Sequence, residues 1–310
     1  MHHRAVVWII WGCFVLSAFG EASPWRRLVR GNVVLYCHGN DLKNGERILS
    51  VVAECGPKIL EDLELAKPDS LTLFLAGSRD EFREMTHDAM PEWSAGAADP
   101  QRSVLYLQSP RFADPDTRME TVVAHELSHA ILGMAVRGMP VPRWFEEGFA
   151  MMESGESGLN GTVQLMRGFV FNEALDLSEI EDVLRFNREK ASLAYQESLA
   201  GVEYLVERFG PESIPDLVSA MRQGGSMAEA VRVVTGLPYR RFQAEWFESM
   251  KRKYRKAVVL DFSLLLSLVF LTLFAAAWVS TKIRTERKKM EWEKQTEKDR
   301  EDHEANSSPD

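Results

Sequence analysis

His125-Glu126-Leu127-Ser128-His129 places two imidazoles four residues apart, with a carboxylate directly after the first. On a helix, residues four apart stand one above the other on the same face, so both rings can reach one cation at about 2.0–2.1 Å. Glu126 then points roughly 100° around the helix from His125, within reach of a water beside the ion rather than of the ion itself. The chemistry implied is a zinc ion gripped by His125 and His129, with Glu126 as the base that takes a proton from water. Such a site needs a third protein ligand.

The surrounding elements must supply both the helix and that ligand. Asp114 is expected to cap the helix with Pro115 at its first position, and the run from Thr117 to Val136 has no proline before Gly138-Met139-Pro140 stops it. Val123, Leu127, Ala130, Ile131 and Met134 form the expected core stripe, and Val122, His125, His129 and Leu132 the neighbouring face, so site side and packing side should be separable. A short loop then leads to a second helix opened by Pro142. Two glutamates compete there for the ligand role. Glu146 shares its helical line with Arg143, Ala150 and Glu153, a polar face, whereas Glu147 shares its line with Trp144, Gly148 and Met151. A buried carboxylate needs a partner, which favours Glu147 over Glu146 as third ligand. Gly148, with no side chain, should let this helix approach the first one closely.

His125-Glu126-x-x-His129 followed by Pro142-x-Trp144-Phe145-x-Glu147-Gly148-Phe149-Ala150 resembles the peptidase MA-like proteins, gluzincin metallopeptidases whose third zinc ligand is the glutamate of a Trp-x-x-Glu-Gly element. Glu81-Phe82-Arg83, Pro91-Glu92-Trp93-Ser94-Ala95-Gly96, the run Val104 to Pro110 and the run Tyr204 to Gly210 are also similar to that family, so the resemblance covers the chain from about Asn32 to about Tyr254. It implies one Zn2+ per chain on His125, His129 and Glu147, Glu126 as general base, and a protein or peptide as substrate. It further implies a tyrosine or histidine that donates to the oxyanion from a helix after the third ligand. Tyr195 is the candidate, because it shares a helical line with Ser198, Val202, Leu205 and Phe209; an ordinary core tyrosine is the other reading of the same residue. Tyr204, beside Glu197, Gly201 and Arg208, is expected at the surface or in a groove. Absence of a Gly-x-Met-Glu-Asn-like element favours an endopeptidase over an aminopeptidase.

The expected fold class is α+β and zincin-like: a small mixed β-sheet in an N-terminal lobe with the active-site helix, then an all-helical C-terminal lobe and one transmembrane helix. Asn32 to Cys37 and Leu71 to Leu75 read as strands joined by a helix over Gly45 to Ala66, a β-α-β unit, with a further helix over Arg79 to Thr86. Ser103 to Gln108 is the expected edge strand, along which an extended peptide could pair. Ser154 to Gly161 has the composition of a loop, and the pattern from Leu165 onward is helical, broken at Gly210-Pro211, Gly224-Gly225 and Gly236-Leu237-Pro238.

The ends bear on location. Residues 1–22 read as a secretory signal peptide, with an uncleaved anchor as the alternative. Residues 23–256 form the peptidase domain, 257–279 an apolar run long enough to span a bilayer, and 280–310 a charged tail. Basic residues flank the span on both sides, so the signal peptide sets the orientation: catalytic domain extracytoplasmic, tail cytoplasmic. A formal net charge of -9 and the lack of a basic, aromatic-interleaved patch argue against nucleic acid as a partner. Cys13 leaves with the signal peptide; Cys37 and Cys55 either form a disulfide or remain free. A catalytically silent zincin-fold binding module and a membrane adaptor acting through its tail are the alternative readings.

Overall fold

Alternating apolar residues in three short runs build the centre of a five-stranded sheet. The computed structural model describes residues 24–66, 70–114, 117–156 and 159–306, with the side chains of 159–160, 257–268, 295 and 297–306 outside the described residues. Strands β1 (Trp25–Arg30), β2 (Val33–His38), β3 (Leu71–Ala76), β4 (Gly96–Asp99) and β5 (Val104–Gln108) lie in the order β1-β2-β3-β5-β4. The inner three are mutually parallel, and the two edges are antiparallel to their neighbours. Because side chains alternate between faces, the register sets Leu35, Leu73 and Leu105 in one row and Cys37, Leu75 and Leu107 in the next, all buried. The other face carries Tyr36, Phe74 and Tyr106 in register, with stacked rings 5.3 and 5.8 Å apart.

The β-α-β unit is present as β2, α1 (Leu42–Asp62) and β3, and α2 (Arg79–Met85) follows with Ser78 accepting a hydrogen bond from the Glu81 N–H at 3.1 Å. Two strands differ from expectation. β1 is an additional edge, turned onto β2 through Gly31, whose φ of 59° lies in the left-handed region. The opposite edge is β4, not the Ser103–Gln108 run: the chain after α2 first lays down Gly96–Asp99 antiparallel to β5, which leaves β5 between two neighbours. The short, small-residue sequence Gly-Ala-Ala-Asp carries too little β-propensity to announce itself. Cys37 on β2 and Cys55 on α1 are free thiols, and Cys55 Sγ donates to the Val51 carbonyl at 3.0 Å.

Helices α3 (Met119–Ala135) and α4 (Arg143–Ser154) follow the sheet, and then α5 (Leu159–Phe171), a 3-10 turn over Glu179–Arg185, α6 (Arg188–Phe209), α7 (Ser213–Arg222), α8 (Met227–Thr235) and α9 (Tyr239–Asn306). The glycine-marked breaks fall between these last helices, as expected, while the 154–161 loop is shorter than its composition suggested because α5 begins at Leu159. The chain divides into two compact units. One comprises residues up to Val141 with Phe149–Glu156 and Ile214–Ser226; the other comprises Pro142–Gly148, Ser157–Ser213 and the remainder from Met227.

Aromatic packing dominates the second unit. Phe169 of α5 stacks on Tyr254 of α9 at 5.7 Å, and Phe242 of α9 lies 6.1 Å from Trp144 and 5.9 Å from Tyr204. Tyr204 is therefore a core residue with 6% exposure, not a surface or groove residue. The signal peptide read at residues 1–22 lies outside the described residues. Among the described residues no helix is long and apolar enough to cross a membrane, so the span read at 257–279 finds no support there; the side chains of 257–268 lie outside the described residues.

Glu197 of α6 is a buried acid in this core. Its Oε1 accepts the Leu175 N–H at 3.0 Å, while Oε2 meets no hydrogen-bonding group among the described residues. Burial pushes its carboxyl up to about 8, with Glu179 adding to the rise and the Leu175 N–H opposing it. The folded-state value lies above the unfolded one, so the stability gained from the neutral acid is intact below about 4.3 and is lost as pH rises through about 8. Glu197→Gln lacks that loss. Denaturant titrations from pH 5 to 9 should show the variant gaining on the wild type by on the order of a few kcal/mol; a pH-independent difference would contradict the assignment.

Candidate metal centre

Arg118 begins α3: its backbone is extended, at φ -83° and ψ 116°, and its carbonyl accepts the Val122 N–H at 3.1 Å. Asp114 is not the cap, because its carbonyl closes a separate turn with the Thr117 N–H at 2.9 Å, and Pro115 lies outside the described residues. Val123, Ala124, Leu127, Ser128, His129, Ala130, Ile131 and Leu132 are all buried, so α3 is enclosed nearly all round. Val123, Leu127, Ala130 and Ile131 of the expected core stripe are buried and Met134 is only half-buried, while on the neighbouring face Val122 and His125 are half-buried and His129 and Leu132 buried.

The two imidazoles nevertheless converge. Their Nε2 atoms stand 3.1 Å apart, with ring centroids at 4.8 Å. His125 turns its other nitrogen, Nδ1, to Glu156 Oε1 at 2.7 Å. That bond leaves Nε2 of a neutral His125 as the lone-pair atom.

Glu126 leaves the helix toward the edge strand. A Cβ built on Gly96 of β4 would stand 2.5 Å from Glu126 Cγ and 2.8 Å from its Oε1, so the carboxylate occupies the space that the glycine leaves. Gly96 belongs to one of the family-like segments of the sequence. Its contact with the expected base could not be read without the unrecognised strand β4.

Pro142 sits just before α4, not inside it, and its carbonyl accepts the Phe145 and Glu146 N–H groups at 3.0 and 3.1 Å. The facing argument for the glutamates holds: Glu147 is 4% exposed, and Glu146 is half-buried with its Oε2 accepting from Arg143 Nη1 at 2.9 Å. Arg143 Nη1 also lies 3.5 Å from Glu147 Oε1, so the buried carboxylate has a cation beside it before any metal is considered. Burial works against the Arg143 charge, yet Glu146, Glu147, Tyr195 and Glu181 more than offset it and hold its pKa above the ordinary arginine range. Tyr195, half-buried on α6, thus belongs to the electrostatic surroundings of Arg143.

Ligand atoms of His125, His129 and Glu147 all lie within 4.8 Å of one another. In a tetrahedral zinc site with bonds of about 2.0–2.1 Å, neighbouring ligand atoms are about 3.3 Å apart. The imidazole pair already has that spacing, and two neutral nitrogens with one carboxylate oxygen are a donor set that suits zinc. The residues present therefore fit the ion.

The family comparison agrees with this geometry. Residues 61–252 match the model of the Peptidase MA superfamily. The chain belongs to the Peptidase MA superfamily. That span takes in α3 and α4 with His125, Glu126, His129 and Glu147, and Tyr195 of α6. Membership makes the chain a peptidase-like hydrolase with a protein or peptide as substrate, in a superfamily that is typically zinc-dependent. No curated protein matches it.

Gly148 approaches α6, not α3 as expected. A Cβ there would stand 2.2 Å from the Ser198 carbonyl oxygen and 2.7 Å from a Val202 methyl, and reciprocally Gly201 leaves room for the Trp144 ring, 3.0 Å from where its Cβ would be. Trp144 Nε1 donates to Tyr239 Oη at 2.7 Å from the same place. The Ser198 obstacle is backbone and cannot swing away. Gly148→Ala should lower stability by about 1–3 kcal/mol, read as a fall in melting temperature; a melt unchanged from wild type would mean that the close approach is absent.

Proposed function

We propose that this chain is a membrane-anchored, zinc-dependent endopeptidase. The observation that carries the reading is the convergence of His125, His129 and Glu147 donor atoms within 4.8 Å, with Glu126 one residue along the same helix. A zinc ion held by these three would lower the pKa of a water molecule toward about 7 and polarise the scissile carbonyl. Glu126, in the space beside Gly96, takes the proton from the attacking water and hands it to the leaving amine. An extended substrate pairs along β4, which among the described residues has a sheet neighbour on one side only and whose first residue adjoins Glu126. Tyr195 donates to the oxyanion; its support is the family resemblance and its position near Arg143.

The catalytic reading is tested on the full chain with zinc analysis and a mixture of unrelated peptides. His129→Ala should lose the metal and all cleavage. Glu126→Gln should keep the metal and lose at least about 100-fold in rate, the scale of a general base. Glu147→Gln should release the metal, and Glu146→Gln should not. Undiminished cleavage by Glu126→Gln, or metal release from the 146 variant alone, would overturn the assignment.

Membrane anchoring rests on the apolar sequence 257–279 and on the first 22 residues, which would carry the catalytic domain across the membrane and leave the charged tail behind. Phe270, Leu271, Leu273, Phe274 and Trp278 of α9 are 59–72% exposed, an apolar surface suited to lipid rather than water. The whole chain should stay with the membrane pellet through alkaline extraction. Its release into the supernatant would contradict the anchor.

A further inference from the structure

Glu156 has no place in the three-ligand set or in the acid-base step, yet its carboxylate is hydrogen-bonded to His125. Its Oε1 lies 2.7 Å from His125 Nδ1 and accepts a second hydrogen bond from Ser154 Oγ, also at 2.7 Å. The backbone explains how it gets there. Helix α4 ends at Ser154, and Gly155 follows with φ 69°, a left-handed conformation that suits glycine. The Gly155 N–H donates back to the Met152 carbonyl at 3.4 Å and the Glu156 N–H to the Met151 carbonyl at 3.1 Å. This pair of bonds is the Schellman closure of a helix. It fixes the residue after the glycine in space, so the helix that carries Glu147 ends by turning a carboxylate onto His125.

The geometry points to Glu156 as a positioning residue for the metal centre: its carboxylate holds His125 in the tautomer and ring orientation that present Nε2 toward His129. With Nδ1 protonated and donating to Glu156, a neutral His125 keeps its lone pair on Nε2, and the nearby negative charge makes that nitrogen a better donor. Ser154 fixes the carboxylate in turn, leaving its Oε1 bonded from two sides. The inference rests on the zinc reading above and adds a residue that neither the motif nor the family resemblance supplies. The sequence held only a weak signal for it, an acid directly after a glycine beyond a helix end.

Zinc affinity of the full chain, measured by competition with a chromogenic chelator, tests it apart from catalysis. Glu156→Ala should bind zinc about 10–100-fold more weakly than wild type, with the melting temperature of the metal-free protein unchanged. Glu156→Gln, which keeps an acceptor oxygen and loses the charge, should recover part of that affinity. The proton NMR spectrum of the zinc-loaded wild type should contain a downfield imidazole N–H resonance of His125 that Glu156→Ala loses. Equal zinc affinity in wild type and Glu156→Ala would overturn the positioning role while leaving the zinc reading intact. A wild type that binds no zinc would instead overturn the reading beneath it.

Discussion

Two imidazole nitrogens held 3.1 Å apart on one enclosed helix are the constraint on which the site depends. At that separation they can share one proton or grip one cation, and the buried carboxylate of Glu147 within 4.8 Å adds a negative charge to the group. Burial raises the cost of leaving such charge without a counter-ion. Arg143 Nη1 lies 3.5 Å from Glu147 Oε1 and donates to Glu146 Oε2 at 2.9 Å. A divalent ion placed among them would contact all three donors at once.

The surrounding structure serves to fix directions. In the first unit, glycine at the start of the edge strand leaves space for the Glu126 carboxylate, and a glycine-closed helix end turns Glu156 onto His125. In the second, Gly148 and Gly201 let α4 and α6 touch backbone to ring, with Trp144 anchored on Tyr239. Absent side chains therefore decide placement as much as present ones. Functional side chains on rigid elements lose less of their geometry to thermal motion than side chains on loops.

Legibility in the sequence followed the range of the interactions. His125, Glu126 and His129 were readable because helical pitch alone relates them, and Glu147 was readable because its line along α4 is apolar while that of Glu146 carries Arg143 and Glu153. The β-α-β unit and the glycine-marked helix ends are local patterns too. The rest depends on pairing and packing that residue type alone does not announce. The strand Gly96–Asp99 exists through its pairing with β5, Gly148 meets Ser198 and Val202 of α6 although spacing cannot say which helix comes near, and Tyr204 packs against Phe242 of a helix that begins thirty-five residues later. Asp114 looked like a cap from residue type, but the extended backbone that opens α3 belongs to Arg118.

X-ray absorption at the zinc edge of the purified full chain tests the central claim most directly. The account predicts one zinc per chain with two imidazoles and light oxygen ligands at about 2.0–2.1 Å, and no bound zinc in Glu147→Gln. A protein without bound zinc, or a zinc whose shell contains sulfur or fewer than two imidazoles, would contradict it.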